Sequence, residues 1–499
     1  MYFKRILFIA WSFLTAAPAW ADADTLTVAV VGLPRAMGHP YALSNLPTIY
    51  TFTAIFDALT FVDGKGEVKP WLATAWKQTG DTTWEFDLRP NVVFSNGEKF
   101  TADAVVSAVT YLQTPAAVAD TIKQELSALK AARALGPLKV EITTNAPDPM
   151  LAREVSALRM AAPEAWQRLG PQEFAKNPVG TGPFKVENWA ASRISLTAFK
   201  QSWRPPKVDR MEIIALPDGA ARLQGVLSGS IDIAVSMQTE DKAALEAAGH
   251  RLQAEQGTGV FAIILNLEKD ERLRDLRVRQ ALNYAVDRNR IAEVMFHGLM
   301  NPASQFTPPN ANGYDPELKP IPYDPAKARA LLKEAGYEKG LSFVLEAVPG
   351  SGVSDSAIFQ QIAANLAEVG VKMEIRGIPL TQLSVAMRTK GAFTGSAFAV
   401  DYGTAPSLDS LRALKLHSCL NPVPWYCDPE IMPMVERASS TASMDERLKL
   451  TRTVMRRYRD QMPAILLWDI VYFDAIRKEI GEVPAVGTWI VYDRITKRR

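Results

Sequence analysis

Residues 211–216 (MEIIAL), 220–227 and 231–234 (IDIA) read as strand, helix and strand. Two strands joined through a helix lie parallel, because a tight turn can link only antiparallel neighbours. The chain is thereby committed to a parallel α/β sheet at this point. The pattern returns in the second half. Asp324-Pro325 opens a helix with the apolar stripe Ala328, Leu331, Leu332 and Ala335, closed by Gly336. Ile358, Ile362, Leu366 and Val369 form another stripe, closed by Gly370 and followed by a strand at 371–375. At 499 residues the chain exceeds what one core accommodates, so two or three domains are expected.

The first residues follow a different rule. Lys4 and Arg5 precede an apolar run from 6 to 17, and Ala19-Trp20-Ala21 offers a small-x-small cleavage site, the pattern of a secretory leader. The run is too short to span a bilayer, and no later stretch reaches about 18 uninterrupted apolar residues. Removal of the leader takes two of the 56 Lys and Arg and none of the 54 Asp and Glu, leaving a formal charge of zero. That balance gives no basis for a nucleic-acid stripe or a polybasic membrane patch. The basic end Lys497-Arg498-Arg499 reads as a solvated tail. Cys419 and Cys427 are the two cysteines of the chain. In the oxidising compartment that a leader implies they are expected to pair, two free thiols being the alternative. The four histidines are scattered, so no metal site is expected.

In the stretch 273–307, Val278, Ala281, Leu282, Ala285 and Val286 form one apolar helical stripe, with Arg277, Arg279, Asn283 and Asp287 on the other face. The string Arg274-Asp275-Leu276-Arg277-Val278-Arg279-Gln280-Ala281-Leu282, then Ala285-Val286-Asp287-Arg288, resembles a segment of the large solute-binding proteins of peptide-type ABC importers, family 5. Its arginines read as structural, pairing with carboxylates and helix ends. Further resemblances are Leu72 to Trp76, Trp84 to Arg89 and Phe94 to Val105, with Thr101 capping a helix. Asn177-Pro178-Val179-Gly180-Thr181-Gly182-Pro183-Phe184 and Ser228-Gly229-Ser230-Ile231-Asp232-Ile233-Ala234 are similar as well. Gly180-x-Gly182 is not a dinucleotide loop, since Pro183 and a strand follow; Gly257-Thr258-Gly259 likewise runs into a strand at 260–266. Ser443-x-x-Glu446 reads as a capping box, and 462–476 as a buried strand.

The resemblance implies an α/β, two-lobed periplasmic binding protein fold of type II, in the large peptide-binding class. Residues 1–21 would be a signal peptide, and 22–260 the first lobe with an inserted subdomain at about 48–177. Residues 261–470 would form the second lobe, and 471–499 a return segment completing the first. Ligand would sit between the lobes. Peptide-binding relatives have W-x-x-D where this chain has Phe398-Ala399-Val400-Asp401: the strand bonds the ligand backbone and the Asp pairs with its ammonium. A turn-capping Asp401 is the alternative. Tyr41, Phe261, Phe398 and Trp425 are expected cleft-lining aromatics by the same resemblance, core packing being the alternative for each. The loop 349–356 lacks the arginine that dipeptide binders use for the ligand carboxylate, which favours a longer peptide or a cation.

The implied protein is a monomeric periplasmic receptor without a cofactor, delivering an oligopeptide or small cationic solute to an inner-membrane permease with its ATPase subunits. The same fold could instead take an opine, glycoside, quaternary amine or metal chelate. An exported hydrolase is a third reading, though no H-E-x-x-H, G-x-S-x-G or P-loop occurs.

Overall fold

A computed structural model describes residues 25–349, 355–421, 423–486 and 489–498. The leader at 1–21 and residues 350–354 of the arginine-free loop lie outside the described residues.

A ten-stranded mixed sheet runs through the molecule. On one side, Thr25–Val30 lies parallel to both Arg210–Ala215 and Ile233–Ala234. The helix Gly219–Ser228 therefore carries the chain over the first strand, the crossover that the strand–helix–strand reading requires. On the other side, Leu341–Ala347 pairs in parallel with Val371–Gly377 and Ala397–Gly403. Two long antiparallel strands, Arg251–Leu265 and Ala464–Ile476, join these halves. An inserted antiparallel sheet of four strands, within 73–144, stands apart.

The strand expected at 260–266 begins at Arg251. Gly257-Thr258-Gly259 is an irregularity inside it, because the ladder to Ala464–Ile476 breaks between Gln256 and Val260. A Cβ at Gly257 would come within 2.6 Å of the Ile470 carbonyl, so the two backbones can approach this closely only at glycine.

The apolar stripe read at 278–286 is fully buried, but Val278, Ala281 and Leu282 lie on helix Leu276–Tyr284 while Ala285 and Val286 lie in the link to the next helix, Arg288–Phe296. Its expected polar face is a correction: Arg279 and Asn283 are buried as well. Arg279 donates to the carbonyls of Gln461, Leu273 and Arg274 at 2.8–2.9 Å. Asn283 donates to the Ala464 carbonyl at 2.9 Å and accepts from the Leu466 amide at 3.3 Å. These side chains satisfy backbone groups where the return strand enters the sheet, as buried peptides require.

Other local rules hold. Thr101 accepts from the Asp103 amide, Asp324 caps Pro325–Glu334, and Gly336 and Gly370 take positive φ. Ser443 accepts from the Glu446 amide, but the Glu446 carboxylate turns to Arg437 and Thr441, so the capping box is half formed. Lys497 is no solvated tail: its ammonium meets Asp232 at 2.8 Å and the Thr25 carbonyl at 2.7 Å. Arg477 joins Asp232 at 3.0 Å, tying the chain's end to the first strand. Cys419 and Cys427 form a disulfide.

Candidate functional site

The floor of the candidate site is the irregular middle of the crossing strands. Asp401 stands directly opposite Phe261 on the neighbouring strand, so both side chains lie on one face. Asp401 approaches the Cα of Gly259 and Gly403 closely enough that a Cβ at either would stand 3.3–3.4 Å from its Oδ2. Asp401 is exposed to solvent, although dense protein surrounds its carboxylate. Burial pushes its carboxyl up, against a backbone hydrogen bond and the more distant Arg412. Arg412 is committed elsewhere: it holds Glu125 with two nitrogens and the Gly403 carbonyl with a third at 2.8 Å.

That Arg412–Glu125 pair crosses the cleft, from helix Ser410–His417 to helix Thr121–Glu125 of the inserted part. A second crossing is made by Arg153, buried, which donates to the carbonyls of Gly66 and Ser407. Behind it, Asp409 and Arg447 form a buried pair at 2.7 Å. Beside Arg153, burial raises both Glu154 and its neighbour Asp148. The Arg412–Glu125 and Arg153–Ser407 contacts both join segments that the sequence reading assigns to different lobes.

The sequence-predicted site residues divide between the two faces of the sheet and two separate cores. Asp401 and Phe261 share the cleft-side face, and Ala399, two positions before Asp401, lies on that face but buried against Ile263. Phe398 points the other way, stacked on Phe393 at 3.9 Å and edge-on to Trp425. Trp425 is buried with it, its ring 3.4 Å from that of His417. A cavity of about 230 Å³ opens at that outer end, lined by Phe398, Trp425, Lys269 and Lys390, away from Asp401. Tyr41 stacks on Tyr111 at 5.3 Å inside the first lobe's core. Strand alternation thus puts Phe398, with Trp425 packed against it, on the face of the sheet away from Asp401, and Tyr41 packs within the first core.

Sequence reading missed the acids of the return strand. Asp474 accepts from the Ser236 amide at 3.3 Å, and burial raises its carboxyl to about 7. Asp469, opposite Val260, is raised by burial to about 7 as well. Glu255, opposite Tyr472, is raised by burial against a hydrogen bond from Gln253. An acid in an apolar run, as in AILLWDIVYFDAI, is the signal that could have found the first two.

Asp469 yields a pH prediction. Its folded pKa lies above the ordinary 3.8, so the folded chain holds a proton that the unfolded chain has lost between about pH 4 and 7. That stabilisation is full below pH 4 and is lost as pH rises through 7. Asp469→Asn, which cannot ionise, is expected to exceed wild type in stability by on the order of 2–4 kcal/mol at pH 8 and to match it at pH 4. Urea melts at the two pH values check this; an equal difference at both would refute it.

The pattern of bacterial extracellular solute-binding proteins, family 5, matches residues 67–415. The glutathione-binding protein GsiB of Escherichia coli O157:H7 is 28% identical over 385 residues, covering 76% of this chain and 74% of that protein. GsiB of Salmonella typhimurium is 28% identical over 390 residues, with the same shares covered. Among solved structures, the substrate-binding protein CtaP of Listeria monocytogenes superposes with a TM-score of 0.85 at 19% identity, over 95% of this chain and 99% of that one. AppA of Bacillus subtilis, an oligopeptide-binding protein in complex with a nonapeptide, gives 0.77 at 19% identity over 95% and 99%. Two lobes on one crossing sheet, a cleft carboxylate at its floor and a family pattern spanning most of the length lead to one conclusion: the chain belongs to the family 5 extracellular solute-binding proteins, which serve ABC importers.

Proposed function

We propose that this receptor works in the periplasm as a monomer and captures an oligopeptide, or a small solute that is likewise cationic, between its lobes. Asp401 carries the reading: it is an ionisable acid on the cleft floor with no ion-pair partner among the described residues. A ligand ammonium would supply the missing counter-charge through a hydrogen bond strengthened by low dielectric. Phe261 beside it would contact the ligand's first residue. The lobe limits 22–260 and 261–470, with 471–499 returning, are supported by the ladder break opposite Ile470. Export rests on the leader, and inner-membrane permease and ATPase subunits are the proposed partners. No helix of the described residues is long and apolar enough to cross a membrane.

The test is mass spectrometry of ligand released by denaturing the mature protein. Peptides or amines support the reading, and a neutral glycoside or an anion overturns the substrate class. Closure makes its own prediction. Glu125→Gln removes one charge of the cleft-crossing pair, whose side chains are 13% and 23% exposed. Ligand affinity should fall about 3- to 10-fold, because the closed state alone holds the pair. Unchanged affinity by calorimetry would show that the pair does not favour closure.

A further inference from the structure

Most buried acids of this chain are neutralised on the spot: Asp57 by Arg204, Asp232 by Arg477 and Lys497, Asp409 by Arg447, Asp428 by Arg457. Three acids on or beside the crossing strands depart from that pairing: Asp474 is buried, Glu255 half-buried and Asp401, on the adjacent strand Ala397–Gly403, exposed. Asp401, Glu255 and Asp474 form no ion pair among the described residues. Of the residues not described after the expected leader, Arg499 alone is a Lys or Arg.

These three are linked in space. Glu255 faces Tyr472 across the ladder, and Gln253 faces Asp474. Asp474 feels Glu255, and Tyr472 feels Asp401. Tyr50, from helix Leu46–Ile55, reaches the same place: its electrostatic neighbours are Asp474, Tyr472 and Tyr492. Tyr50 is 2% exposed, and its hydroxyl meets no hydrogen-bond partner in good geometry among the described residues, although Ser236 lies close enough to act on it electrostatically. Asn310 repeats the theme above the Gly257 bulge. Its Nδ2 is spent on the Gly257 carbonyl at 3.2 Å, and its Oδ1 is buried without a partner. A buried hydroxyl and a buried amide oxygen without partners are costly unless a bound molecule completes them.

We propose that the cleft takes a ligand with two cationic centres, one ammonium at Asp401 and a second ammonium or guanidinium at Asp474 and Glu255, with Tyr50 and Tyr472 between them. This rests on the reading of Asp401 as the first anchor. Through Phe261 and Trp468, Asp401 is two strands across from a point six residues before Asp474, which puts the two anchors on the order of 20–25 Å apart along the backbone. Such a span fits an extended peptide with its free amino end at Asp401 and a basic side chain further along, or a long linear polyamine.

The experiment is calorimetric titration of the mature protein with penta-alanine, with the same peptide bearing one lysine at position 3, 4 or 5, and with spermidine. Wild type, Asp474→Asn, Glu255→Gln and Asp401→Asn are compared. The best lysine peptide should bind wild type at least about tenfold more tightly than penta-alanine, and Asp474→Asn or Glu255→Gln should collapse that ratio toward one. Asp401→Asn should weaken both peptides together. Glu255, half-exposed, carries the comparison should Asp474→Asn fail to fold. Spermidine binding that depends on Asp474, without peptide binding, would uphold two cationic centres and reject the peptide source. Equal binding of both peptides by wild type, or a ratio that survives both substitutions, overturns the second anchor while leaving Asp401 in place. Binding of no amine probe overturns the anchor and the underlying reading alike.

Discussion

Asp57→Ala is expected to cost about 3–5 kcal/mol of stability, the largest single effect in the first lobe. Asp57 is 1% exposed and accepts from Trp71 Nε1 at 2.7 Å, Thr181 Oγ1 at 2.8 Å, Trp203 Nε1 at 2.9 Å and Arg204 Nε at 2.8 Å. Removing it leaves a buried guanidinium half-neutralised, since Asp493 still holds its other side, and strands three neutral donors. The same acid fixes where the segment 177–184 re-enters the first lobe. Thr181 is pinned to Asp57, while a Cβ at Gly180 would stand 2.0 Å from the Ile55 carbonyl. The loss is read as the difference in unfolding free energy in urea at neutral pH. Asp57→Asn, which keeps shape and acceptor oxygen, should lose less. A loss below about 1 kcal/mol for Asp57→Ala would show that the network is replaceable by water.

Asp401→Asn is expected to weaken the bound ligand by about 30- to 150-fold, equivalent to about 2–3 kcal/mol, with little change in unfolding stability. The contrast follows from its lack of an ion-pair partner among the described residues. Nothing in the free protein is left uncompensated when the charge is removed, whereas a ligand ammonium in the closed cleft would lose its counter-ion. Titration calorimetry measures the first quantity and thermal melts the second. Affinity within about threefold of wild type would assign Asp401 to the alternative given by its neighbours, the turn before Gly403. A large drop in melting temperature would place its role in folding instead.

Some elements needed no tertiary information. Asp324, Thr101, Gly336 and Gly370 begin and end helices through bonds to residues two to four positions away, so their residue types suffice. The strand–helix–strand unit at 211–234 is local in the same sense, and the cysteines are close enough in the chain to meet whatever surrounds them. Within the string 274–288, Asn283 and Arg288 serve the Ala464 and Leu466 carbonyls of the return strand and Arg279 that of Gln461 just before it, although periodicity had put Arg279 on the solvent side.

Spacing determined the parallel α/β character and the ends of several helices, while the family resemblance supplied the two-lobed fold and Asp401 as a candidate on the 397–403 strand. The tertiary structure alone decided that Phe261 shares the face of Asp401 while Phe398 and Trp425 turn away, since the face depends on register with a strand far off in sequence. It alone brought Tyr50, Glu255 and Asp474 together, and Arg412 to Glu125. Such pairings join residues hundreds of positions apart, and no periodicity in the chain encodes which buried acid receives a partner and which is left for a ligand.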